Sequence, residues 1–150
     1  MFAKLKAIAY FFRTIPPHHK YTGPSRRGDF NLPPRTAFDY VAQRHDLDFS
    51  KFKASRVYSG AFISAEQSFI NIDVDTRFFE NLFKDLITFE YFKNQWLLCS
   101  VYCYQDKLVT AFDFIFETVI DFLLVPCAIV ILGLNIGLNY LNIQMEKNRL

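Results

Sequence analysis

Between Asp121 and Glu146 the chain carries no Asp, Glu, Lys or Arg. That gap excludes an ordinary surface helix there, because such a helix keeps one charged face in water. Acids are also missing from the N-terminus, where none precedes Asp29. No Gly-x-Gly-x-x-Gly or Walker loop is present for a nucleotide. No Gly-x-Ser-x-Gly elbow is present for a serine nucleophile. With no recognisable catalytic motif, the expectation is a chain that is not an enzyme by itself and has no cofactor of its own. Cysteine is sparse: Cys99, Cys103 and Cys127 make no disulfide framework and no zinc-ligand spacing. Cys99 and Cys103, four apart, read as small core residues of an aromatic helix, with a disulfide between them as the alternative. A net charge of +2 leaves no nucleic-acid footprint.

What fills the uncharged gap is apolar. Phe122–Met145 opens with an almost unbroken apolar run to Leu134. A helix of that length reaches about 36 Å at about 1.5 Å per residue. The hydrocarbon core is about 30 Å thick, so one tilted helix crosses it. Pro126 removes one helix hydrogen bond near its start. Asn135, Asn139 and Asn142 share one face, and Gly133 with Gly137 forms a Gly-x-x-x-Gly pair roughly opposite. Amides in lipid seek partners on other helices, and small residues let backbones approach closely. The span is therefore expected to pack among several helices, with Asn142 near headgroups or water.

The rest divides into residues 1–35, 36–121 and a short tail, 146–150. Lys4, Lys6 and Arg13 lie off a Phe2, Leu5, Ala9, Phe12 stripe. Such a basic, acid-free amphipathic start reads as an uncleaved mitochondrial targeting segment or a helix on an anionic membrane. Pro16-Pro17 ends it, and residues 16–35 read as an extended Pro-rich strap. Within the strap, His18-His19 reads as a solvated or interfacial loop. Arg26 and Arg27 are candidates for a phosphate or lipid headgroup. Thr36 with Asp39 signals a helix cap and a short helix over 36–45, with Phe38, Val41 and Ala42 on one face. His45 then falls at its end, where an imidazolium suits the dipole.

Ile70, Ile72 and Val74 alternate with Asn71, Asp73 and Asp75, which predicts a short half-buried strand. Its polar side resembles the start of a calcium loop but lacks the Gly and distal Glu. Asp75 or Thr76 is expected to cap a long aromatic helix over 77–105, in which Glu80 and Lys84 form an i, i+4 pair. Asp113, Glu117 and Asp121 follow at i, i+4, i+8 on one helix face. They read as an acidic stripe at the membrane rim, solvated or paired with a neighbouring subunit's bases; the sharper alternative is a carboxylate ladder for protons or cations. Lys147 and Arg149 after the span are further headgroup candidates and favour a positive-inside tail, against the direction implied by a matrix-targeted N-terminus.

The expected fold is mainly α, with a single transmembrane helix over 122–145, aromatic-rich helices and the N-terminal strap. Phe is abundant, with 18 residues. Many lie outside the span, so much of the chain is expected to bury against other subunits or lipid. This layout is similar in type to the supernumerary subunits of mitochondrial inner-membrane complexes. The resemblance covers layout alone and transfers no residue roles. It implies a single-pass, non-catalytic accessory subunit of a respiratory-chain complex, among other membrane subunits and structural phospholipids such as cardiolipin. The alternatives are a peripheral membrane subunit of the mitochondrial ATP synthase, and a transport or translocase component using Asp113, Glu117 and Asp121.

Overall fold

The computed structural model describes residues 19–22, 32–54, 63–86 and 88–149. The expected targeting or membrane-surface segment before Pro16, His18, most of the expected strap, Arg26 and Arg27 lie outside them. The described residues are mainly helical, with no strand. Four helices run in order: α1 (Ala37–Lys51), α2 (Ala65–Leu86), α3 (Glu90–Tyr102) and α4 (Lys107–Arg149).

Each boundary has a local cause. Thr36 is extended, and its hydroxyl accepts from the Asp39 N–H, as the sequence predicted for this cap. The helix runs past His45 to Lys51 and stops where Lys53 turns to positive φ. Ser64 Oγ accepts from the Gln67 N–H and starts α2. Tyr104 and Gln105, both at positive φ, reverse the chain between α3 and α4. Asp106 then caps α4 by accepting from the Leu108 and Val109 N–H groups, each at 3.1 Å.

Two expectations fail here. Residues 70–75 are the interior of α2, not a strand. Asn71, Val74, Asp75, Phe78 and Leu82 form a buried helical stripe, while Asp73 points out. Asp75 therefore caps nothing, and the expected polar face is split. The aromatic helix over 77–105 is also two helices, broken between Leu86 and Glu90. The reason is tertiary. Asn71 meets Asn139 and Asp75 meets Asn135, so α2 runs antiparallel along the second half of α4. Tyr91 meets Asp121 and Trp96 packs on Phe114 at 5.6 Å, so α3 runs antiparallel along the first half. The break sits where one cover helix hands over to the other.

A small apolar core joins all four helices. Ala37, Phe38 and Val41 of α1 meet Phe78, Leu82 and Leu86 of α2 and Tyr91 of α3. Leu124, Val125, Ala128 and Leu132 of α4 pack against that cluster. Phe38 and Phe78 stack edge to face at 6.4 Å between centroids, an arrangement the ring quadrupole favours. On the outer side of α2 the i, i+4 ion pair is Arg77 with Asp73 at 3.3 Å, rather than Glu80 with Lys84.

The expected span is part of α4, a single helix of 43 residues with Pro126 inside it. Among the described residues it is the one helix long and apolar enough to cross a membrane. Only 6% of its most apolar stretch of 18 residues is buried. A core helix of a soluble domain would be mostly covered.

Candidate functional site

The chemistry of the described chain is concentrated on the inner face of α4. Thr110, Asp113, Glu117, Asp121, Asn135, Asn139 and Asn142 recur at three- and four-residue spacing and turn toward α1, α2 and α3. Glu117 is 3% exposed, Asp121 1% and Asn139 0%. Water cannot satisfy groups this deep, so each needs a partner. All but the Thr110 hydroxyl find one, in two clusters on either side of the apolar middle of α4.

The first cluster surrounds the three acids. Arg35 pairs with Asp113 and lies 3.7 Å from Glu117. Its guanidinium also sits over the Tyr102 ring, 4.5 Å from the centroid, a favourable cation–π distance. Burial works to lower the Arg35 pKa, but the adjacent Asp113 and Glu117 carboxylates outweigh it and the pKa is raised. His19 Nε2 lies 3.1 Å from Glu117, and His19 Nδ1 lies 3.1 Å from the Thr22 hydroxyl. Asp121 accepts from the Thr36 hydroxyl at 2.9 Å, the Tyr91 hydroxyl at 2.9 Å and the Phe38 N–H at 3.4 Å.

Asp39 anchors the loop behind them. It accepts from the N–H groups of Lys20, Tyr21, Thr22 and Arg35, and from the Thr22 hydroxyl, at 2.8–3.0 Å. One buried carboxylate thereby fixes residues 19–22 and 35 against the start of α1. Cys99, beside Asp113, is buried. Burial first, and then Asp113, push its thiol up to about 12, so it is a poor nucleophile.

The acidic stripe is thus neither solvated nor waiting for a neighbouring subunit's bases. The partners of Asp113 and Glu117 are Arg35 and His19, and those of Asp121 are Thr36, Tyr91 and Phe38, all of the same chain. His19, expected in a solvated or interfacial loop, is 4% exposed. Two like-charged carboxylates one helical turn apart repel, and a base placed against them relieves the cost.

The second cluster joins α1, α2 and α4. Asn71 donates to Asn139 Oδ1 at 3.1 Å, and Asn135 donates to Asp75. The Asn139 amide donates to the Asn135 carbonyl at 2.8 Å. Asn142 donates to the Ile63 carbonyl at 2.7 Å and to the Ser68 hydroxyl at 2.8 Å. The Asn face therefore meets Asn71, Asp75 and Ser68 of α2 and the Ile63 carbonyl just before it, all within this chain. Asn142 is an internal staple, not a headgroup contact.

His45 completes this cluster. Its Nε2 lies 3.0 Å from Asp75 Oδ1, and its ring packs edge-on against Phe78 at 5.0 Å. The helix continues beyond it, so the expected role at a helix end is replaced by a buried imidazole–carboxylate pair. A signal for this existed in the sequence. Phe38, Val41, Ala42 and His45 are spaced i, i+3, i+4, i+7. A histidine on an apolar stripe enters the core with a partner. Asp75 sits likewise on the Asn71, Phe78, Leu82 stripe of α2. No group of three or more His, Cys, Asp or Glu arranged to hold a metal occurs among the described residues.

The remaining expected site residues lie elsewhere. A Cβ added at Gly133 or Gly137 meets nothing within 4 Å, so this pair faces open space. Lys147 is exposed and Arg149 ends the helix. Around the glycines, the outer face of α4 exposes Leu108, Phe112, Ile115, Phe116, Val119, Phe122, Leu123, Val130, Leu134 and Leu141, each more than half exposed. The helix is inverted: polar residues point inward and apolar residues outward.

No known family model, curated protein or solved structure matches the chain.

Proposed function

We propose that this chain is a non-catalytic accessory subunit of a membrane complex, held in the bilayer by α4. The inversion of α4 is the observation that carries this reading. In a membrane bundle, ionisable and amide side chains face the protein interior and apolar side chains face lipid or neighbouring apolar helices. Asp113, Glu117, Asp121, Asn135, Asn139 and Asn142 each meet a partner within the chain, although Thr110 Oγ1, Asp113 Oδ2 and Asn135 Oδ1 are left without one; a face held mostly by the chain's own residues suits a brace better than a carrier. The proposed location is the mitochondrial inner membrane, in a respiratory-chain complex. The basic, acid-free N-terminus and the resemblance in layout support that location. The ATP synthase is the alternative setting.

Native gel separation of gently solubilised mitochondrial membranes, with mass spectrometry of each band, tests the proposal. Comigration with haem-containing oxidase or dehydrogenase subunits is the expected result. Comigration with ATPase subunits selects the alternative. Migration as a free species contradicts both settings.

A further inference from the structure

We infer that α4 lies along the plane of a lipid bilayer, with both of its ends on the same side, rather than through it. This rests on the membrane reading above and fixes its geometry.

The first observation is length. The outer face of α4 carries no charged side chain from Leu108 to Met145. That distance is about 56 Å at about 1.5 Å per residue. A hydrocarbon core about 30 Å thick covers little more than half of it. Even a tilt of about 40°, the upper end for crossing helices, leaves the face projecting roughly 43 Å along the bilayer normal. An upright or tilted helix would hold several of Phe112, Ile115, Phe116, Leu138 and Leu141 in water. A helix in the plane covers them all.

The second observation is what lies beside the helix. The antiparallel pairs Asn71–Asn139 and Asp75–Asn135 set α2 level with the apolar heart of α4. The far side of α2 carries Asp73, Arg77, Glu80 and Lys84. Asp73 and Arg77 side chains are 58% and 44% exposed. Between α1 and α2 lies a cleft of about 530 Å³ whose walls include Arg44, Asp48, Asp73, Arg77 and Glu80. If α4 crossed, these charges would sit at the depth of the hydrocarbon, where each costs several kcal/mol or more. With α4 in the plane, α1 and α2 stand on its water side and the charges stay hydrated.

The third observation is the border. Asp106 and Lys107 at one end of α4 and Lys147 at the other are exposed. On α3, Trp96 and Phe92 are exposed and pack on Phe114 of α4. Trp and basic side chains are the groups that settle at headgroup level. The four-helix unit is therefore amphipathic as a whole: α4 forms its lipid side and α1 with α2 its water side.

The test uses the full chain bound to sealed vesicles of phosphatidylcholine and phosphatidylserine. Lys107→Cys and Lys147→Cys are made separately, and a membrane-impermeant maleimide is added outside. The unsubstituted chain gives the background from Cys103 and Cys127. The expected result is that both positions label to about the level reached after detergent. If one position, or a fraction of each in a mixed-orientation preparation, stays protected until detergent is added, the helix crosses and the inference is overturned. If the chain fails to float with the vesicles, the membrane reading itself falls, and the in-plane geometry with it.

Discussion

α2 and α4 lie antiparallel against each other and are built in opposite senses. α2 turns Val74, Phe78, Leu82 and Leu86 inward and Glu66, Asp73, Arg77, Glu80 and Lys84 outward. α4 turns Glu117, Asp121, Asn135 and Asn139 inward and a row of Leu, Ile, Val and Phe outward. Each obeys the solvent on its outer side. The two inner faces meet because Asn71 and Asp75 of α2 are polar where α4 is polar, and Leu82 and Phe78 are apolar where α4 presents Ala128 and Leu132. Amphipathicity read from one helix at a time names the two faces but not which one is inside. In α4 the polar face is the inside one.

Substitutions that break the inner face of α4 or its partners have the largest expected effect. Asp39→Ala leaves five donors behind the acidic cluster without their acceptor. Removing one member of a buried charged network costs about 3–5 kcal/mol. The expected outcome is loss of cooperative unfolding in detergent or vesicles, followed by circular dichroism against temperature. An unchanged midpoint would show that the loop over 19–22 contributes nothing to the fold.

A charge on the outer face acts next, and acts on the membrane rather than on the fold. Val119 is 55% exposed on that face. Val119→Lys should weaken vesicle binding by about 2–3 kcal/mol, the scale for one charge in hydrocarbon. Flotation measures it, and helix content should not change. Glu80→Lys on α2 is the control for the comparison, since its outer face meets water and binding should hold.

Asn139→Ala removes the acceptor for the Asn71 amide and a donor to the Asn135 carbonyl. Leaving one buried polar group unsatisfied costs about 1–3 kcal/mol. The double variant Asn71→Ala/Asn139→Ala should cost less than the sum of the two singles, because the unmet partner is then gone as well. Strict additivity would mean that the two amides do not interact.

The smallest effect on the chain itself belongs to Gly137→Leu. Nothing lies within 4 Å of a Cβ there, so the fold should gain up to about 1 kcal/mol from helix propensity. The same change should impair assembly wherever another apolar helix approaches this face. Normal comigration of the variant in native gels would show that Gly133 and Gly137 face lipid.

Part of this design was legible in the sequence. The uncharged run gave α4, and Thr36 with Asp39 gave the start of α1. The spacing of Asp113, Glu117 and Asp121, and of Asn135, Asn139 and Asn142, placed each set on one face. Their partners were not legible. Arg35, His19, Tyr91 and Asp75 are brought to α4 by long-range packing that no local pattern records. Residues 70–75 were misread for a different reason. Over six residues, alternation of Ile and Val with Asn and Asp fits a strand. The helical stripe becomes visible only when Asn71 is followed through Asp75 to Phe78 and Leu82. The break between α2 and α3 left no Gly or Pro to mark it, since it is set by where the two helices divide the surface of α4.

The most direct test of the inverted helix is a nitroxide scan of positions 108–145 in phospholipid vesicles, reading oxygen accessibility by saturation. A helical period is expected, with maxima at Phe112, Ile115, Val119, Phe122 and Val130 and minima at Glu117, Asp121, Asn135 and Asn139. A scan with no period, or with maxima on the Glu117 and Asn139 side, would contradict it.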